Sequence, residues 1–236
     1  MPAKKKKPSG HKIQASSNLP AALVAGAAGF IGSHLCDVLL HQNCRVYGLD
    51  NWSTGKKVNL EPLLDNPHFI FIEHNLNQAF KTPPPQVDYI FHLAGIEAYI
   101  NGLDVSLETL LVNSLGSREL LEIAKNQQAK FLLASTADIF SGFISQKNLN
   151  QYFGSDHKDE EVYSHHEAKR FSEALTFEYL NRYQIDARVV RLANVYGPHM
   201  DLSSGQEISQ LFQAVKAGKN LKVSGQGLTP LYPTYI

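Results

Sequence analysis

Thiols are nearly absent from this chain, which has two cysteines, Cys36 and Cys44, in 236 residues. Two thiols cannot staple a small scaffold or fill a cysteine metal site. One lies in a helical pattern and one begins a strand, which reads as buried, reduced thiols in a cytoplasmic protein. Long apolar runs are also missing, so no stretch reads as a membrane span, and no signal peptide opens the chain. With 43% hydrophobic and 19% charged residues, disorder over most of the length, collagen and coiled coil are excluded. The length suits one large α/β domain, or one domain with part of a second.

Net charge is missing too, but unevenly. The 22 basic side chains include Lys4, Lys5, Lys6, Lys7 and Lys12, and residues 1–20 contain no acid. That leaves 17 basic against 22 acidic groups, a body of net −5. An acidic body is a poor general nucleic-acid binder, and no specific nucleic acid is expected as a partner. Residues 1–20 read as a disordered basic tail, either a solubilising end or a contact for RNA or anionic lipid.

From Ala21 onward, short apolar runs alternate with longer amphipathic stretches. Strands are expected at Ala21–Ala25, Arg45–Asp50, Phe69–Glu73, Tyr89–Ala94, Phe131–Ser135 and 187–192, with a short one near 221–223. Helices are expected at Gly29–His41, Asp104–Asn126, 165–183 and 206–217, and a loop over 141–162. Continuous apolar strands imply burial on both faces, and their alternation with helices implies βαβ crossovers. The fold class is a Rossmann-like, doubly wound parallel α/β sheet with helices on both faces. Residues 21–195 form that domain, and 196–236 the start of a smaller, incomplete lobe.

Residues Gly26-Ala27-Ala28-Gly29-Phe30-Ile31-Gly32 follow a strand and open a helix. Gly26 allows the sharp turn, Gly29 a close backbone approach to a pyrophosphate, and Gly32 tight packing of helix on sheet. The N–H groups at the helix start hold the anion. Asp50, 24 residues after Gly26, ends the next strand. An acid there accepts hydrogen bonds from a ribose diol and repels a 2′-phosphate, favouring NAD over NADP.

These residues resemble the extended short-chain dehydrogenase/reductase family, the NAD-dependent epimerases, dehydratases and decarboxylases of nucleotide sugars. The resemblance runs from about Ala21 to the last residue. Asp50-Asn51-Trp52-Ser53-Thr54-Gly55 is similar to the family's adenosine-ribose loop. His92-Leu93-Ala94, with Gly95, is similar to the turn lying along the cofactor, and Asn75-Leu76 stands where the family places an acid near the adenine. Leu132–Thr136 resembles the strand that delivers a catalytic hydroxyl. Arg191–Pro198 resembles the sixth-strand signature, whose Asn194 faces the substrate. Gly197–Ser209 is most similar to UDP-glucuronate decarboxylases. The resemblance implies NAD as cofactor, a UDP-sugar as substrate and a homodimer built on helices 104–126 and 165–183.

It also implies the chemistry. The family oxidises a sugar C4 hydroxyl, with a Tyr taking the proton, a Lys four residues later lowering the Tyr pKa and binding the nicotinamide ribose, and a Ser or Thr hydroxyl on the reacting oxygen. The keto sugar then loses its carboxylate, rotates or eliminates water, and the hydride returns. In this chain Thr136 keeps the hydroxyl and Lys169 the lysine. The tyrosine position holds His165, on the same helix face as Lys169. Ser164 and Glu167 form a capping-box pattern that places the helix start, leaving Tyr163 outside it. A neutral imidazole can act as a base near pH 7, and a nearby ammonium keeps it neutral. Loss of a matched acid/base group costs on the order of 10²–10⁴ in rate. Ala137 and Asp138 replace the Ser-Glu of the decarboxylase pattern, with Asp138 on the substrate side.

Other candidates have plainer readings. His157, His165 and His166 lack a completing ligand, so no metal is expected. Trp52 reads either as a cover for the adenosine or as a surface aromatic. Asn113 reads as a buried polar residue serving a backbone group, or as functional. Two functions stand. One is a nucleotide-sugar enzyme impaired at His165; the other is a catalytically silent NAD-binding sensor, scaffold or partner subunit. A third, RNA binding through the tail, depends on residues 1–12.

Overall fold

The computed structural model describes residues 19–82, 84–95, 99–100, 103–140, 163–204, 207–221 and 233–236. Residues 1–18 of the expected tail 1–20, the loop 141–162 and most of the strand 221–223 lie outside them. In chain order the elements are β1 Ala21–Ala25, α1 Phe30–His41, β2 Arg45–Asp50, β3 Phe69–Glu73 and β4 Tyr89–His92. A small antiparallel pair follows, β5 Tyr99–Ile100 and β6 Leu103–Asp104. Then come α2 Ser106–Leu111, a π-helical turn Val112–Gly116, α3 Ser117–Gln127, β7 Lys130–Thr136 and α4 Tyr163–Tyr183. The last are β8 Ala187–Leu192, β9 Val195–Tyr196, α5 Glu207–Lys216 and β10 Thr234–Tyr235.

Six strands form one parallel sheet in the order β3-β2-β1-β4-β7-β8. Order reverses between β1 and β4, which opens a crevice at their carboxyl ends. β1 is buried throughout, and its side chains alternate between two cores. Leu23 and Ala25 join Leu49, Ile90, Phe131 and Leu133 against Leu120, Leu121 and Ala124 of α3 and Tyr179 of α4. Val24 joins Val46, Cys36, Leu60 and Phe69 on the α1 side. The fold is therefore the doubly wound sheet expected, with helices on both faces. Both cysteines are free and buried. Among the described residues, no helix is long and apolar enough to cross a membrane.

Several expected boundaries are corrected. The helix expected over Asp104–Asn126 starts at Ser106 and is broken by the π-helical turn, while Asp104 belongs to β6. The Asn113 carbonyl in that turn accepts a 2.8 Å hydrogen bond from the Ser172 hydroxyl of α4, so tertiary pairing competes with the helical ladder. Asn113 itself is fully buried and its amide donates to the Thr109 carbonyl, which is its backbone-serving reading. β4 ends at His92 rather than Ala94, because the chain turns where Gly26 approaches it. α4 begins at Tyr163, so Ser164 lies inside the helix and the Ser164–Glu167 capping box does not mark its start. The face shared by His165 and Lys169 is unaffected.

Candidate functional site

The glycine turn is dictated by contact. Gly26 has φ 86°, and a Cβ there would lie 2.8 Å from the Ala94 nitrogen. A Cβ at Gly32 would lie 1.9 Å from the Gly26 carbonyl oxygen, so α1 packs against the turn only with glycine at that position. Gly29 is the N-cap, with no side-chain cap, and the first turn beyond it leaves backbone N–H groups without helical partners. They open into a cavity of about 550 Å³.

That cavity is lined by Gly26, Gly29, Phe30, Ile31 and Gly32 on one side and by Trp52, Ser53, Thr54, Gly55 and Lys56 on another. Leu93, Gly95, Thr136, His165, Lys169 and Asn194 complete its inner wall. An adjoining cleft of about 70 Å³ is lined by Asp50, Asn51, Asn75, Leu76, Asn77 and Ala94, among others. The sequence-selected positions therefore gather at the crevice. Asp138 lies in the turn Ala137–Phe140 after β7, and its side chain is outside the described residues.

Asp50 is pinned as well as placed. Its Oδ2 accepts from the Ala28 N–H at 2.9 Å and its Oδ1 from the Trp52 N–H at 2.9 Å. Burial pushes its carboxyl up, while these backbone donors and that of Asn51 pull it down. The same acid thus joins the glycine turn to the loop after β2. Trp52, with φ 62°, is packed on Phe71 at 4.5 Å between ring centroids and donates to Glu73 at 3.1 Å. It is a cavity wall rather than a loose surface ring.

Lys169 is 6% exposed, and its Nζ donates to the Ala134 carbonyl at 3.1 Å. A Cβ at Gly95 would lie 2.9 Å from that Nζ, so glycine there leaves the ammonium its room. Burial pushes Lys169 down to about 8, and Glu173 opposes the shift. His92, beneath it, is pushed down to about 3 by burial and then by Lys169, which keeps its imidazole neutral. His92 and the Ser117 hydroxyl hydrogen-bond at 3.0 Å.

Sequence reasoning missed one wall. His199, Met200, Asp201, Ser203 and Ser204 also line the cavity. His199 Nδ1 and the Ser33 hydroxyl are 3.0 Å apart, and Lys56 pairs with Asp201 at 3.3 Å. Their signal was present: they follow Gly197-Pro198, directly after the segment read as facing the substrate. The Glu173–Arg191 pair described below was missed as well, although Glu173 falls one helical turn after Lys169.

A dinucleotide fits these residues. The uncapped start of α1 turns backbone N–H groups to the cavity, Asp50 stands at the end of β2, and Asn77 Oδ1 in the adjoining cleft is buried without a partner. Comparison with known proteins agrees. The chain matches the NAD dependent epimerase/dehydratase family over residues 22–230. It is 31% identical over 205 residues to UDP-glucuronic acid decarboxylase 1 of Xenopus tropicalis, covering 87% of this chain and 48% of that one. It is 32% identical over 206 residues to UDP-glucuronic acid decarboxylase 6 of Arabidopsis thaliana, covering 87% and 59%. The chain thus spans about half the length of the curated relatives it matches.

Among solved structures, UDP-glucuronic acid 4-epimerase from Bacillus cereus, in complex with UDP-glucuronic acid and NAD, is similar with a TM-score of 0.70 and 25% identity, covering 91% of this chain and 69% of that one. dTDP-glucose 4,6-dehydratase from Bacillus anthracis, in complex with NAD, shares the fold with a TM-score of 0.70 and 21% identity, covering 92% and 67%. With its glycine turn, its sheet order and a match over residues 22–230, the chain belongs to the NAD dependent epimerase/dehydratase family.

Proposed function

We propose that this chain binds NAD across the crevice between β1 and β4 and acts on a UDP-sugar at C4, in the manner of a decarboxylase or epimerase, with a slow proton-transfer step. The observation that carries the reading is the convergence of Thr136, His165 and Lys169 on the cavity that also holds the Gly26–Gly32 turn. NAD, when bound, supplies the acceptor and later the donor of a hydride. Gly29, Phe30, Ile31 and Gly32 hold the pyrophosphate by backbone N–H groups. Asp50, Asn51, Ser53, Thr54 and Gly55 hold the adenosine ribose, with Asn75, Leu76, Leu93, Ala94 and Gly95 along the remaining length. Lys169 binds the nicotinamide ribose. Thr136 hydrogen-bonds the reacting hydroxyl, and His165 Nδ1 or Nε2 takes its proton. Asn194 faces the sugar, and residues 196–236 belong to the substrate lobe.

Imidazole is shorter than phenol, so His165 reaches the hydroxyl less well, which is the source of the slow step. The same residue supports a second reading, a silent NAD-binding protein acting as a sensor, scaffold or partner subunit. Incubation with UDP-glucuronate and NAD separates the two. Release of CO₂, a UDP-pentose or transient NADH supports the enzyme. NAD binding, read by Trp52 fluorescence, with no product over long incubation supports the silent protein.

A partner and a compartment complete the proposal. A second copy of the chain docks on the face that leaves Leu107 62% and Phe171 52% exposed on α2 and α4. The cytoplasm is the compartment that suits two free, buried thiols.

A further inference from the structure

Glu173 lies one helical turn beyond Lys169 on α4, on the same face, and is 5% exposed. Both carboxylate oxygens are taken by Arg191 of β8: Nε donates to Oε1 at 2.9 Å and Nη2 to Oε2 at 2.6 Å. Bidentate pairs of this kind fix position as well as charge. A buried carboxylate and a buried ammonium therefore share one face of α4, and the carboxylate is held from the side by a neighbouring strand.

We propose that Glu173, clamped by Arg191, is the positioning residue for Lys169. This rests on the reading above, in which Lys169 meets the nicotinamide ribose. A carboxylate with free oxygens would take the ammonium for itself and draw it back from the cavity. Arg191 occupies those oxygens, so Glu173 acts on Lys169 through space and leaves Nζ at the Ala134 carbonyl, beside Gly95. Burial alone favours the neutral amine, and Glu173 opposes it. Burial also acts on Glu173, but Arg191, with Ser135 and Arg170, overcomes it and the carboxyl sits below the ordinary glutamate range. Among the described residues, the other groups around the pair are His92 of β4, kept neutral by burial, the hydroxyls of Ser135 and Thr136 on β7, and His165 and Arg170 on α4, and Glu173 is the acid that acts on Lys169.

The test titrates Lys169 in the whole chain without cofactor, by ¹³Cε NMR of labelled lysine, with the signal assigned by its loss in Lys169→Met. In wild type the resonance should titrate near about pH 8. In Glu173→Gln the midpoint should fall by about one unit or more, a tenfold change in the protonation equilibrium. An unchanged or raised midpoint overturns the proposal. If Glu173→Gln does not fold, Glu173→Gln with Arg191→Gln removes both charges, and a smaller fall in the same direction is expected, with an unchanged or raised midpoint again overturning the proposal.

NAD affinity by calorimetry is the second readout. Glu173→Gln should weaken binding about tenfold at a pH one unit above the wild-type Lys169 midpoint, and by less than about threefold well below both midpoints. Equal weakening at every pH, with an unmoved NMR midpoint, means a merely structural role and overturns the proposal. Absence of NAD binding in wild type sinks the cofactor reading instead, and the NMR titration still decides the role of Glu173.

Discussion

The imidazole of His199 is stacked on that of His34, with ring centroids 4.8 Å apart and planes 20° from parallel. His199 also meets the Ser33 hydroxyl at 3.0 Å, and His34 Nε2 lies 2.9 Å from the Pro198 carbonyl. The segment after β9 is thereby seated on the first turns of α1, beside the glycine turn. His199 has φ 68°, a left-handed conformation costly for a side chain of this kind, which these contacts offset.

The pair makes stability depend on acid. Burial, and then His34, hold His199 below its ordinary value of 6.5. The unfolded chain therefore binds more protons as pH falls through 6.5, so the contribution is present above that value and is lost below it. His92 works in the same sense. The melting temperature should fall on acidification below about pH 6.5, and less steeply in His199→Asn, which keeps His92 but lacks the stacked imidazole. Parallel slopes in thermal melts across pH would contradict this.

Gly32→Ala should damage fold and cofactor site together. The added methyl meets the Gly26 carbonyl at 1.9 Å, and backbone must move. A loss of about 1–3 kcal/mol is expected from overpacking. A urea midpoint and an NAD-induced shift in melting temperature, measured side by side, should both drop.

Asp50→Asn should weaken NAD binding and loosen the turn at once. An amide nitrogen would face either the Ala28 or the Trp52 N–H, where the carboxylate accepts from both. One buried donor loses its acceptor, at about 1–3 kcal/mol. Chemical denaturation and calorimetry with NAD test the two effects; a variant that binds NADP in place of NAD at full stability would show Asp50 to be a specificity group alone.

His165→Tyr should raise turnover of UDP-glucuronate, by a factor on the order of 10²–10⁴ if the phenol restores proton transfer. Product formation by chromatography reads the outcome. No gain would place the defect elsewhere, at Ala137 or in the substrate lobe.

Light scattering should find the proposed dimer in wild type and a monomer in Leu107→Glu combined with Phe171→Glu. Both side chains are more than half exposed on helices that pack together, so the fold should tolerate the change. A monomeric wild type would remove the proposed interface.

Much of this was legible in the residues. The strands at Ala21–Ala25, Arg45–Asp50, Phe69–Glu73 and Ala187–Leu192 lie where apolar runs and turn residues place them. α1 begins one residue after the expected position because Gly29 serves as its cap. The glycine turn and Asp50 reach the crevice for the same reason: each follows or ends a strand whose period is written locally, while Lys169 reaches it from within α4. The π-helical turn was not legible, since Asn113 yields its carbonyl to Ser172, 59 residues away.

Local chemistry in the chain was thus sufficient for the alternation of strands and helices and for the phosphate turn; that His165 stands in a phenol's place came from the family resemblance. Those features depend on side-chain period and on residues within a few positions of one another. Packing alone brought His199 onto His34, set Arg191 around Glu173 and brought the Ala28 N–H to Asp50 Oδ2. Ser33 and His199 are 166 positions apart, and no local propensity encodes a contact that exists only after the sheet has closed its crevice.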